Sequence, residues 1–97
     1  MQIDKLRDQE LDDLFDGILS LESKEDCYKF FDDLATSNEL ISLKQRFQVA
    51  KLIDEGKTYS KIQEKTGASS ATVSRVKRCM DYGSGGYKLV LEKRNNA

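Results

Sequence analysis

The chain has 97 residues, no histidine, no proline and two isolated cysteines. That length fits a single domain, 1–97, with a limited core. The cysteines offer neither a disulfide framework nor zinc-ligand spacing, and no apolar run approaches the ~18–20 residues of a bilayer span. A net charge of −1 hides a split: residues 1–43 carry four basic and twelve acidic side chains, residues 44–97 twelve basic and five acidic. The start, MQIDKLRDQELDD, is too polar for a signal peptide. A cytoplasmic protein with Cys27 and Cys79 as reduced thiols is expected. Abundant helix formers without proline predict an all-α fold of five to six helices.

Residues 2–21 read as one long amphipathic helix. Ile3, Leu6, Leu11, Leu14, Phe15, Ile18 and Leu19 fall near helical spacing, with Asp8, Asp12, Asp13 and Asp16 on the other side. Ser23 is placed as an N-cap, with Asp26 reaching back as in a capping box. The helix that follows runs to about Ala35 and stripes Cys27, Phe30, Phe31 and Leu34, which makes Cys27 a core position. Thr36 and Glu39 fit T-x-x-E, a second helix start. That helix extends to about Glu55 and stops at Gly56. Its apolar residues do not form one stripe: Leu40, Leu43, Phe47 and Ala50 make one line, and Ile41, Val49, Leu52 and Ile53 spread onto others. A helix apolar on several sides must be covered on several sides. A chain this short has few elements for that task, which argues for a dimer.

The stretch TYSKIQEKTGASSATVSRVKRC, Thr58–Cys79, reads as two short helices joined at Thr66-Gly67-Ala68. Ile62 points inward from the first. Gly67 sits where the turn needs φ > 0, and Ser69 is placed as the N-cap of the second. Val73 and Val76 recur on one side, facing the first helix. The other side carries Ser70, Ala71, Ser74, Lys77 and Arg78, all small, hydroxylated or basic. This is the layout of a helix-turn-helix, about 58–80, whose second helix, 69–80, enters a DNA major groove. The motif lies in the basic half of the chain. Asp81–Gly86, with three glycines, forms a break. Lacking the G-x-x-x-x-G-K-[ST] order and a preceding strand, it is a linker rather than a phosphate loop. Tyr87–Arg94 forms a last helix with Tyr87, Val90 and Leu91 as its apolar side.

These residues support sequence-specific binding of double-stranded DNA by a transcriptional regulator. Ser69 and Ser70 would meet phosphates at the helix N-terminus. Ala71, Thr72 and Ser74 would lie nearest the bases, and Lys61, Lys65, Lys77 and Arg78 would contact the backbone. Side chains this short give little bidentate readout, so DNA shape and water would carry much of the specificity. A reading from another class is a helical dimeric protein-interaction module, its acidic N-terminal half docking a partner and its helix-turn-helix kept as scaffold. No nucleophile–base pair, metal cluster or cofactor loop points to an enzyme, so no catalytic, metal or cofactor residues are assigned.

The order of these elements resembles the tryptophan-repressor superfamily. TSNELISLKQRFQVAKLIDEGKTYSKIQEKTGASSATVSR looks like that family's central helix, turn and DNA-reading motif, and MQIDKLRDQELDDLF is similar to the branch often called YerC/YecD. The resemblance implies an obligate, intertwined homodimer, with two reading helices facing successive major grooves about one turn, ~34 Å, apart on a two-fold symmetric operator.

Tryptophan repressors sandwich an indole between two arginines with a threonine backbone group nearby. Arg46 and Arg75 match the arginines and Thr36 the threonine. Val76 stands where the repressor has a glycine that leaves room for the indole. Cys79 replaces a serine that helps hold the ligand's amino group. A buried valine contributes on the order of 1.5–3 kcal/mol and fills the slot, so the reading heads are expected to hold their position without tryptophan; a different small effector stays open. Isothermal titration with tryptophan is expected to give no saturable heat in the micromolar range.

Overall fold

The computed structural model describes residues 1–96. Among them are a 3-10 turn, Gln2–Leu6, and six α-helices: α1 Gln9–Leu19, α2 Lys24–Leu34, α3 Ser37–Asp54, α4 Tyr59–Thr66, α5 Ser70–Tyr82 and α6 Gly86–Asn95. There is no strand among the described residues. The all-α expectation holds. The chain forms two compact units, Met1–Ser37 and a second from Asn38 onward.

In the first unit the single long helix expected over residues 2–21 is broken. Arg7 is extended, with ψ 122°, and donates from Nε to Asp4 Oδ1 at 2.7 Å. Asp8, also extended, accepts the Leu11 N–H on its carboxylate at 2.8 Å. An aspartate does better as a cap, where it satisfies an orphan donor, than inside a helix where it competes with the backbone. Ser23 caps α2 as expected, accepting from the Asp26 N–H at 3.0 Å. Asp26 reaches one residue further back than a capping box requires and accepts from the Glu22 N–H at 3.1 Å.

Phe30 and Phe31 meet edge to face with ring centroids 5.6 Å apart, and a Cβ at Gly17 would stand 3.9 Å from Phe30 Cζ. Cys27, expected in the core, is exposed. No residue of α1 or α2 is fully buried, and Leu19 and Tyr28 are 82 % and 74 % exposed. Two short helices provide too few neighbours to enclose the stripe.

The second unit holds the core. Val49 and Ala50 of α3, Ile62 of α4, Ala68 of the turn, Val73 and Val76 of α5 and Leu91 of α6 form one buried cluster. Phe47, Leu52, Ile53, Met80 and Tyr87 pack around it, partly buried. α3 ends in a Schellman arrangement: the Gly56 N–H donates to the Ile53 carbonyl at 2.9 Å and the Lys57 N–H to the Leu52 carbonyl at 3.0 Å. The predicted apolar spread of α3 is real. Its second half enters the core, while Ile41 and Leu43 remain exposed.

α6 presents Leu91 inward, with Tyr87 half-buried. Val90, expected on the same side, is exposed. The Arg94 guanidinium lies 5.9 Å from the centroid of the Phe47 ring, and Asn95 Nδ2 donates to Asp54 Oδ2 at 3.4 Å. No helix among the described residues is long and apolar enough to cross a membrane.

Gly67 ends α4 at φ 71° and ψ 6°. A Cβ there would meet nothing within 4 Å, so its constraint is conformational rather than steric. Gly67→Ala is expected to lower stability by about 1–2 kcal/mol, the cost of a left-handed L-residue, and Gly67→Asn by less. Urea unfolding at fixed protein concentration measures this; matching midpoints for glycine and alanine would contradict it.

Candidate nucleic-acid interface

The turn between α4 and α5 is built from side chains that satisfy its own backbone. Thr58 Oγ1 accepts from the Lys61 N–H at 3.2 Å and starts α4. At its end Thr66 Oγ1 donates to the Ile62 carbonyl at 2.7 Å and accepts from the Ala68 N–H at 3.1 Å, spanning the corner. Gln45 Nε2 of α3 donates to the Thr66 carbonyl at 3.2 Å and ties the corner to the central helix. Ser69 Oγ accepts from the Thr72 N–H at 3.1 Å and donates to Thr72 Oγ1 at 3.1 Å. Ser69 is therefore the cap, and the expected 69–80 helix is Ser70–Tyr82. It runs on to Gly83, whose N–H donates to the Cys79 carbonyl at 2.9 Å. A Cβ on Gly83 would collide with that carbonyl oxygen.

α5 has two unlike sides. Val73 and Val76 are 0 % and 2 % exposed. Ser69, Ser70, Ala71, Ser74 and Arg78 are exposed, and Thr72 and Lys77 half-buried. The residues assigned to DNA on α5 therefore lie at its cap, first turns and outward flank. Lys61 belongs to α4, exposed, with Nζ 3.8 Å from Glu64. Lys77 Nζ meets Asp81 Oδ1 at 3.0 Å, one turn along. Arg78 has no carboxylate within ion-pair distance among the described residues. The Lys77–Asp81 pair is solvent-accessible, and pairs of this kind contribute only about 0.3–0.5 kcal/mol. Lys77 can exchange its partner for a phosphate at little cost.

The residues matched to a corepressor site divide. Arg46 of α3 is half-buried, Arg75 and Cys79 of α5 are exposed, and Val76 is in the core. Thr36 belongs to the first unit, immediately before α3.

A residue that sequence reasoning left in the apolar side of α6 joins them: Tyr87. Burial pushes its phenol above the ordinary tyrosine range. The positive charge of Arg46 opposes that shift, Cys79 adds to it, and Arg75 again opposes it. Three of the five matched positions thus lie within electrostatic reach of one aromatic ring of the chain itself. Nothing in sequence signals this, because Tyr87 is far from Arg46 along the chain. The Lys77–Asp81 pairing, by contrast, was legible as an i, i+4 spacing.

A second feature of this unit is an open cleft of about 700 Å³ along α3 and the end of α4, lined by Ile41, Lys44, Gln48, Lys51, Leu52 and Lys65 among others. It lies beside the Gln45–Thr66 tie and adds to the positive character of the basic half.

Known proteins bear directly on this arrangement. Residues 9–95 match the family profile described as Trp repressor protein. YerC of Bacillus subtilis (strain 168), an uncharacterized protein, is 59 % identical over 93 residues, covering 96 % of this chain and 89 % of YerC. A crystal structure of a candidate Trp repressor from Staphylococcus aureus superposes with a TM-score of 0.94 at 56 % identity, covering 98 % of this chain and 95 % of that one. A TrpR-like protein from Eubacterium eligens ATCC 27750 gives 0.90 at 50 % identity, with 94 % of each chain covered. The family is one of DNA-binding regulators rather than enzymes. With nearly its whole length inside that profile, this chain belongs to the Trp repressor family.

Proposed function

We propose that this protein binds double-stranded DNA sequence-specifically as a homodimeric transcriptional regulator, a repressor, acting in the cytoplasm, with α5 as the reading helix. The observation that carries the reading is the two-sidedness of α5. Two valines hold it inward, and its cap, first turns and outward flank carry only small, hydroxylated or basic groups. An α-helix with an unencumbered leading face is what a major groove admits.

Ser69 and Ser70 meet phosphate at the α5 N-terminus, where first-turn amides and the helix dipole favour an anion. Ala71 and Thr72 bring methyl groups suited to thymine, and Ser74 a hydroxyl. Lys77 and Arg78 grip the backbone on one flank of α5, and Lys61 from α4 adds a further contact. With no long side chain aimed at a base edge, discrimination rests on water and DNA deformability.

The homodimer is supported by the apolar side chains that one chain leaves uncovered: Phe15, Leu19 and Leu34 in the first unit, and Ile41 and Leu43 on α3. Two copies related by a two-fold axis would present paired reading helices to a two-fold symmetric operator. The same uncovered groups also suit a protein-interaction module, the reading in which α5 serves only as scaffold.

Neutralising the flank separates the two. Lys77→Gln with Arg78→Gln is expected to weaken DNA binding strongly, with the dimer intact by sedimentation. The slope of log affinity against log salt should flatten by about one per residue removed. Unchanged DNA retention at every salt concentration would instead support the interaction module.

A further inference from the structure

The corner between α4 and α5 takes one hydrogen bond from outside the motif. Gln45 Nε2 of α3, 21 residues away along the chain, donates to the Thr66 carbonyl at 3.2 Å. The other hydrogen bonds of the corner among the described residues are local. Thr66 Oγ1 donates to the Ile62 carbonyl at 2.7 Å and accepts from the Ala68 N–H at 3.1 Å. The Gly67 N–H donates to the Gln63 carbonyl at 2.9 Å, and Ser69 Oγ accepts from the Thr72 N–H. These bonds shape the corner and start α5, but none of them reaches α3.

The apolar anchors leave the direction of the corner open. Ala68 is its one residue in the core cluster, held by a single methyl. Val49, Ala50, Ile62, Val73 and Val76 bring α3, α4 and α5 together, yet apolar burial rewards area rather than angle. A hydrogen bond has a direction and weakens steeply once bent. Stability does not require this one. Gln45 and Thr66 both line the open cleft beside α3, where water would satisfy the Thr66 carbonyl almost as well. Water would not tie that carbonyl to α3.

We propose that Gln45 is a specificity-determining positioning residue: its hydrogen bond to the Thr66 carbonyl aims the first turns of α5, so that Ala71, Thr72 and Ser74 meet base edges. This role rests on the DNA-binding reading of α5 and deepens it.

The residues concerned make the aim decisive. Ala71, Thr72 and Ser74 are too short to follow a base edge from a helix that stands off, whereas lysine and arginine arms reach a phosphate from many angles. Phosphate contacts hold a protein on any duplex, and base contacts carry the sequence. A corner released from α3 would therefore keep its grip on DNA and lose its choice among sequences. If Gln45 served only the stability of the corner, that choice would be untouched in every molecule that stays folded.

Two duplexes of equal length test this, one that the unaltered protein selects from a random pool and a scrambled one. Gln45→Met keeps the length and unbranched shape of the side chain but removes its donor, and Gln45→Lys restores a donor. The ratio of the two affinities, read by fluorescence anisotropy, cancels the charge that lysine adds. Gln45→Met is expected to lower the ratio about tenfold through the selected duplex alone, the effect of about one mismatched base pair. Its affinity for the scrambled duplex, and the slope of that affinity against salt, should match the unaltered protein because no phosphate contact is removed. Gln45→Lys should recover the ratio. Without DNA, Gln45→Met should speed amide exchange at Gly67 and Ala68 while Val49 stays protected.

Gln45→Met with the ratio of the unaltered protein would overturn the proposal, as would a Gln45→Lys that loses the ratio as fully as Gln45→Met. If Gln45→Met does not fold, Gln45→Ala takes its place in both comparisons. An unaltered protein that distinguishes no duplexes overturns the DNA-binding reading and this role with it. One that distinguishes them no better than Gln45→Met does overturns this role alone.

Discussion

The inward anchoring of α5 is the constraint on which the rest depends. Val73 and Val76 are closed off from water against Val49, Ala50, Ile62, Ala68 and Leu91. Both are β-branched, so their χ1 freedom inside a helix is small. Each buried valine contributes on the order of 1.5–3 kcal/mol, and together they fix which side of the helix faces out. The outer side is then free of any packing duty. It can carry Ser70, Ala71 and Ser74, residues that would stabilise a fold poorly but let a helix approach a surface closely. The corner obeys the same constraint. Thr66, Gly67 and Ser69 satisfy local backbone groups, and Gln45 fastens the corner to α3, so the angle between α4 and α5 does not rely on apolar contact alone.

Electrostatics add direction rather than stability. The excess of positive charge lies in residues 44–97, and its pairs with carboxylates, Lys61–Glu64 and Lys77–Asp81, are exposed and local to one helix. Such pairs are easily exchanged for other anions. The acidic residues 1–43 keep the chain near neutrality overall, which limits indiscriminate attraction to polyanions. The first unit brings no fully buried side chain to α1 or α2. Its apolar residues are therefore available to a second copy, the observation behind the proposed homodimer.

Much of this was legible from local chemistry. Capping residues act within four positions of themselves, so Ser23, Thr58 and Ser69 mark helix starts that the structure bears out, and Gly56 and Gly67 mark ends. The valine spacing of α5 and the mixed faces of α3 followed from periodicity. The failures share a cause. Residues 2–21 match one helical stripe, yet Asp8 is worth more as a cap than within a helix, a competition that apolar spacing does not register. Cys27 and Val90 sit at inward spacings but are exposed, because a stripe says which side is apolar and not whether a neighbour exists to cover it.

The amino-acid sequence by itself determined the helices from α2 onward, the corner at Gly67 and the apolar and polar sides of α5, because each depends on residues within one or two turns. It also carried the family, through a run of residues that includes the corner and α5. The tertiary structure alone decided what meets those helices. It brought Gln45 to the Thr66 carbonyl and Arg94 to Phe47, and packed Tyr87 against the core cluster where the charges of Arg46 and Arg75 act on its phenol. These partners come from different helices, and no local spacing encodes them. They follow from how α3, α5 and α6 pack around one small core, where filling the interior leaves few places for each side chain.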